Sequence, residues 1–243
     1  MSGHSKWSTI KHQKGANDAK RGKIFSRLSK MIAISVREGG SDDPDFNPRL
    51  RLFIDKAKTE NMPKENIKRA IDRGAGRVAG QSYEEISYEG FGPGKVAMIV
   101  ECVTDNRNRT NSDIKVAFDK NNGILGSSGS TAYFFNRKGM VLIQLKPEDN
   151  LEESELELID LGVEDFEDLG EGKLKMIVDP ALTNEVGEKA KEMGYNVIDT
   201  DIVMQPNTYV ELGENEYDRF EKFLNIIDDL EDVQKIFYNA KRA

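Results

Sequence analysis

Residues 83–103 read YEEISYEGFGPGKVAMIVECV, and the architecture of the chain turns on them. Residues 83–89 alternate in polarity, as a half-buried strand does. GFGPG at 90–94 carries three glycines and a proline and reads as a turn. Residues 96–103 form an almost continuous apolar strand. A period of two starts here and is absent from the eighty residues before it. The chain therefore divides into a helical first third and a mixed remainder.

Upstream, Ile24, Leu28, Met31, Ile32 and Val36 recur at helical spacing, which predicts a helix over 18–37. Lys20, Lys23, Arg27 and Lys30 step by three or four along a separate stripe of it. Gly39-Gly40 stops this helix. Asn47-Pro48 starts a second, with Asn as cap and Pro in the first position, running to about Glu60 over Leu50, Ile54 and Ala57. Met62-Pro63 breaks it. A third helix over 63–73 buries Ile67, Ala70 and Ile71, turns Lys64, Lys68, Arg69 and Arg73 outward, and ends at a Gly74 cap. Residues 75–82 read as a linker.

Downstream, DNRNRTN at 105–111 reads as a turn, with Asn111 or Ser112 capping a helix over 112–121. Gly126 to Ser130 is a Gly/Ser loop. Apolar runs at 132–135 and 140–145 flank NRKG and predict a hairpin. An acidic helix over 152–161, a hairpin over 163–178, a helix over 180–193 and a strand over 195–204 follow. A strand (208–212), a helix (217–230) and a strand (233–238) close the chain. This order fits two small α/β sandwiches, each with helices on one face of a mostly antiparallel sheet. They could follow one another, or the last βαβ could return to complete the sheet begun at residue 83. The pattern leaves both open.

The net charge of −8 hides an asymmetry. Residues 1–80 hold 18 Lys+Arg and 9 Asp+Glu, a balance of +9, and the remaining residues balance at −17. A basic third joined to an acidic two-thirds suggests that one end meets a polyanion. The basic density peaks in SGHSKWSTIKHQKGANDAKRGKIFSRLSK, residues 2–30. There Lys6, Lys11, Lys14, Lys20, Arg21, Lys23, Arg27 and Lys30 accompany Trp7, His4 and His12. Cations with an indole and imidazoles suit phosphate contact plus stacking on exposed bases. Arg107 and Arg109 offer a further anion contact. LGSSGS at 125–130 could present backbone N–H groups to a phosphate, but it lacks a Walker or GxGxxG pattern.

Other function classes find little support. His4 and His12, eight apart and without a companion cysteine, do not make a metal site. Cys102, the one cysteine, sits in an apolar run as a core residue without a plausible base. No HExxH or GxSxG occurs. No stretch approaches the ~18 apolar residues of a membrane span, and no secretory h-region opens the chain. These features lead to the expectation of a cytoplasmic protein. Scattered acids that converge in space leave a metal-dependent nuclease as a distant alternative.

Several stretches, in order, resemble the YebC/PmpR family of probable transcriptional regulators, which includes mitochondrial translational activators of cytochrome oxidase. They are GHSKWSTIKHQKGANDAKRGKIFSRL near the start, NPRLR at 47–51, NMPKENIKRAIDRG at 61–74, TDNRNRT at 104–110 and GSTAYFFNRKG at 129–139. Gly15 stands where the family usually has Ala, and Thr131 where Val is common. The resemblance implies an α+β, multidomain chain: a basic arm (1–17), a three-helix bundle (18–79) and two ferredoxin-like α/β sandwiches. The third domain (132–205) would be inserted in the second (80–131 and 206–243). It further implies a cytoplasmic, cofactor-free protein that binds nucleic acid, and the expectation is a monomeric, non-enzymatic regulator of gene expression. The family name points to DNA. The organellar relatives and the character of the arm point to ribosomal RNA and the ribosome.

Overall fold

The computed structural model describes residues 18–78, 82–147 and 149–243. Three helices come first: α1 (Asp18–Gly39), α2 (Pro48–Thr59) and α3 (Lys64–Gly74). Leu28, Ile32 and Val36 of α1 meet Leu50, Phe53, Ile54 and Ala57 of α2 and Ile67 and Ala70 of α3 in one buried cluster. Asn47 caps α2 by accepting from the Leu50 N–H at 3.0 Å, with Pro48 in the first helical position. Its amide also donates to Ser35 O and Ser41 O, each at 2.8 Å, so one buried side chain ties the end of α1 to the start of α2.

Gly74 has a different role from the cap its position predicts. It is the last helical residue, and a Cβ there would lie 2.3 Å from Ala33 O of α1. The glycine permits two backbones to approach. Gly74→Ala should therefore destabilise the bundle by about 1–3 kcal/mol, read as a lower denaturation midpoint. An unchanged midpoint would remove this account of the glycine.

A hairpin follows, β1 (Glu84–Gly92) against β2 (Val96–Thr104). The GFG that reads as turn lies in β1, with Gly90, Phe91 and Gly92 opposite Met98, Ala97 and Val96. Packing explains the exception: a Cβ at Gly90 would meet Ile124 O at 2.5 Å and Phe118 at 2.8 Å. The turn itself is Pro93-Gly94-Lys95, with φ of 77° at Gly94 and 60° at Lys95. Next come α4 (Arg107–Lys120) and the short β3 (Ile124–Leu125).

The chain then enters a second compact unit, Phe134–Thr208, and returns to the first through Tyr209–Ala243. The returning segment supplies β8 (Val210–Leu212), α7 (Glu214–Asp228), β9 (Val233–Tyr238) and β10 (Ala240–Arg242). β9 pairs antiparallel with β2 and completes a sheet of order β3-β1-β2-β9, while β8 and β10 form a parallel pair. Ile114 and Phe118 of α4 and Phe220, Phe223, Leu224 and Ile227 of α7 pack on one face of the sheet, over Met98, Val100 and Ile236. Phe118 and Phe223 meet edge to face at 5.1 Å. Ile99, Val103 and Phe237, whose side chains alternate to the other face, are buried as well, and α1 lies against β2.

The inserted unit holds β4 (Phe135–Gln144), α5 (Leu151–Ile159), β5 (Val163–Asp168), β6 (Lys173–Val178), α6 (Thr183–Glu192) and β7 (Asn196–Pro206). Its sheet is antiparallel, of order β5-β6-β4-β7. Leu158 of α5 and Val186 and Ala190 of α6 share one cluster with Val141, Ile143, Leu174, Met176 and Val178, so both helices cover the same face. The hairpin expected at NRKG is absent. β4 runs straight through it, paired to β7 along its length, with Gly139 opposite Ile202. Gly139 makes room rather than a turn, since a Cβ there would fall 2.0 Å from the Thr183 hydroxyl.

Candidate nucleic-acid interface

Three cations of the α1 stripe, Lys23, Arg27 and Lys30, meet carboxylates of the same chain. Lys23 Nζ donates to Asp228 Oδ2 and Asp229 Oδ1, both at 3.1 Å. The Arg27 guanidinium donates to Asp228 Oδ1 at 3.0 Å and to the Asp228 carbonyl at 2.8 Å. Lys30 Nζ donates to Asp232 Oδ1 at 2.6 Å and to Glu231 O at 3.1 Å. Arg27 and Lys30 are only 3% and 4% exposed. Asp228 ends α7, so its carbonyl is one of the acceptors that a helix leaves unpaired at its C-terminus. A cation placed there meets both a carboxylate and the negative end of the helix dipole. This differs from the sequence reading: Lys23, Arg27 and Lys30 hold α1 to the turn after α7, with Arg27 and Lys30 paired in buried positions and Lys23 paired at a partly exposed one.

Asp232 is the hub of this junction. Besides Lys30 it accepts from Arg109 Nη2 at 2.9 Å, Thr104 Oγ1 at 3.0 Å and Thr110 Oγ1 at 2.7 Å. Burial pushes its carboxyl up, but the hydrogen bonds from Lys30, Thr110 and Arg109 outweigh burial and hold it at about 2. The sign of the pH effect follows. The folded carboxyl titrates below its usual 3.8, so its stabilising contribution is complete above about pH 4 and is lost as pH falls towards 2. Denaturation midpoints of the wild type and Asp232→Asn should converge over that window. A constant gap between them down to pH 2 would contradict it.

Arg109 also belongs to this junction, because α4 begins earlier than the sequence suggests. Asn106 is its cap, accepting from the Arg109 N–H at 3.1 Å, which turns DNRNRT from a loop into a first helical turn. Arg109 then reaches Asp105 at 3.1 Å as well as Asp232. Arg107 faces the other way. It is exposed, and with Arg37, Ser82, Glu84, Asp105, Asn106 and Asn108 it lines an open cleft of about 610 Å³.

On α3 the picture is the reverse of that on α1. Lys64, Lys68, Arg69 and Arg73 are all exposed. Arg73 donates to the Tyr83 hydroxyl and lies over its ring, 5.4 Å from the centroid. Lys64, Lys68 and Arg69 make no ion pair among the described residues, and neither do Arg107 and the exposed Arg21 of α1. Lys6, Trp7, Lys11, His12 and Lys14 lie outside the described residues, as does the side chain of Lys20.

The Gly/Ser loop does collect backbone donors around an anion, but the anion is internal. The N–H groups of Gly129, Thr131 and Ala132 converge on the Glu89 carboxylate at 2.7–2.8 Å. Burial raises this carboxyl, and these N–H groups together bring it below its ordinary value. Glu89→Gln should cost about 1–3 kcal/mol and speed amide exchange over 126–132, since donors lose a charged acceptor. Protection equal to wild type would show that the loop holds its shape without the carboxylate. Among the described residues no group of three or more His, Cys, Asp or Glu side chains could hold a metal ion, and no helix is long and apolar enough to cross a membrane.

Residues 5–77 match the TACO1/YebC protein N-terminal domain, and residues 83–240 match the TACO1/YebC second and third domain. A probable transcriptional regulatory protein of Listeria monocytogenes is 44% identical over 242 residues, covering 99% of each chain. The Bacillus subtilis probable transcriptional regulatory protein YrbC is 45% identical, over 99% of this chain and 100% of its own. The crystal structure of a conserved hypothetical protein, Aq1575, from Aquifex aeolicus superposes with a TM-score of 0.88 at 40% identity, covering 98% of this chain and 97% of that one.

Proposed function

The chain belongs to the TACO1/YebC family, and from that premise we propose that it is a non-enzymatic regulator of gene expression that contacts nucleic acid through an exposed basic face. The observation that carries this reading is the contrast between two helices. Lys23, Arg27 and Lys30 of α1 are paired with carboxylates of the same chain, whereas Lys64, Lys68 and Arg69 of α3 stand exposed without a partner among the described residues. By their sequence the arm cations Lys6, Lys11 and Lys14, with Lys20, Arg21, Arg73 and Arg107, join the proposed contact, and Trp7 and His12 would supply stacking. Relatives named probable transcriptional regulatory proteins support a role in gene expression.

A second reading, contact with ribosomal RNA, draws on one feature of α3. Its outward side chains are Lys64, Lys68, Arg69 and Arg73 with the single acid Glu65, and its one amide, Asn66, is partly buried. Lys and Arg at such a surface contact phosphates, which position a protein without reading sequence. Such a surface suits folded RNA as well as duplex DNA. Labelled duplex DNA and a structured RNA, each titrated with and without magnesium, test the proposal. Saturable binding that weakens with salt and leaves the nucleic acid intact is expected. Magnesium-dependent cleavage would overturn the non-enzymatic reading, and absence of binding to either would overturn the whole.

A further inference from the structure

The inserted unit carries the chain's negative charge. Residues 134–208 contain 7 Lys+Arg and 18 Asp+Glu, a balance of −11, so the rest of the chain stands at +3. Such a surface repels nucleic acid and calls for a different partner.

The helical face of this unit also exposes apolar side chains that its own core does not use. On α5, Ser154 and Leu158 are buried while Leu156 and Ile159, three apart on the helix, are 70% and 52% exposed. Leu182, just before α6, is also exposed and sits beside the end of α5: its Cδ1 lies 3.5 Å from where a Cβ on Gly162 would be. We take Leu156 and Ile159 on α5, with Leu182 beside the turn that follows that helix, as one apolar ridge. Glu152, Glu153 and Asp160 flank it, exposed and without ion pairs among the described residues. A solvent-facing helix has no need of Leu and Ile at such positions, and apolar patches rimmed by charge mark protein-binding surfaces.

We propose that this ridge is a docking surface for a basic amphipathic protein segment, one whose apolar side chains cover Leu156, Ile159 and Leu182 while its Lys and Arg meet the surrounding carboxylates. Charge complementarity selects that partner over nucleic acid, and the apolar ridge selects an amphipathic segment over a plain polycation. The inserted unit then joins a basic protein to a chain whose other surface holds nucleic acid.

The test uses the full chain and two synthetic helical peptides of equal charge, one with leucines along one face and lysines along the other, one with serines replacing the leucines. The leucine peptide should bind more tightly and shift the amide resonances around Leu156, Ile159 and Leu182. The Leu156→Ser, Ile159→Ser variant, whose substitutions avoid the core, should lose about tenfold in affinity while keeping its melting temperature. Equal binding of the two peptides, or a variant that binds as wild type does, would reduce the surface to a simple polyanion and overturn the proposal. So would wild-type dimers in sedimentation that the variant loses, because the ridge would then serve a second copy of the chain.

Discussion

Asp232→Ala should cost about 3–5 kcal/mol of stability, the range for removing one partner from a buried ion pair. The substitution leaves the Lys30 ammonium, 5% exposed at its side chain, without the carboxylate 2.6 Å away. Thr104 and Thr110 lose the same acceptor, and Arg109 keeps only Asp105. Asp229→Ala is the control. Its carboxylate also takes a hydrogen bond from α1, from Lys23, but is 82% exposed, so water replaces the lysine and the change should be within about 0.5 kcal/mol. Chemical denaturation of the two variants beside wild type checks both values. Similar small losses would mean that the cations of α1 are not anchored by this turn, and would return them to the candidate contact surface.

The second large effect is on binding. Replacing Lys64, Lys68 and Arg69 together by alanine should weaken nucleic-acid affinity about a hundredfold at physiological salt, since each neutralised duplex phosphate contributes a slope of about 0.9. All three side chains are exposed, so the bundle core of Leu50, Phe53 and Ile67 is untouched and the melting temperature should hold. The loss should be similar for unrelated duplex sequences, as befits phosphate contact. A loss confined to one sequence would point instead to base reading by α3.

The fold was largely legible because it rests on local periodicity. The three helices, the hairpin after residue 83 and the βαββαβ run all announce themselves in spacing and punctuation, although not whether that run is inserted. What misled were residues whose role is set by a distant neighbour. Gly74, Gly90 and Gly139 look like caps and turns but make space for Ala33, Ile124 and Thr183. Arg27 and Lys30 look like phosphate ligands because their acidic partners lie some 200 residues away. A signal for that pairing does exist: the run DDLED at 228–232 follows an amphipathic helix and is opposite in sign to α1. Nothing local says that the two meet. Asn106 caps α4, although Asn111 and Ser112 in the same stretch are equally suited to capping and place the helix start later. Nothing in an alternating strand marks Glu89 as the acceptor for a loop forty residues on.

The central claim is that α3 faces nucleic acid while Lys23, Arg27 and Lys30 of α1 serve the protein's own ion pairs, and the salt dependence of binding tests it most directly. Affinity for one duplex should be measured from low to physiological salt for the wild type, the Lys64, Lys68 and Arg69 triple alanine variant, and Lys23→Ala. The account predicts a log–log slope shallower by about 3 for the triple variant, one unit per phosphate contact removed, and an unchanged slope for Lys23→Ala. A triple variant with the wild-type slope, or a slope that falls with Lys23, would contradict it.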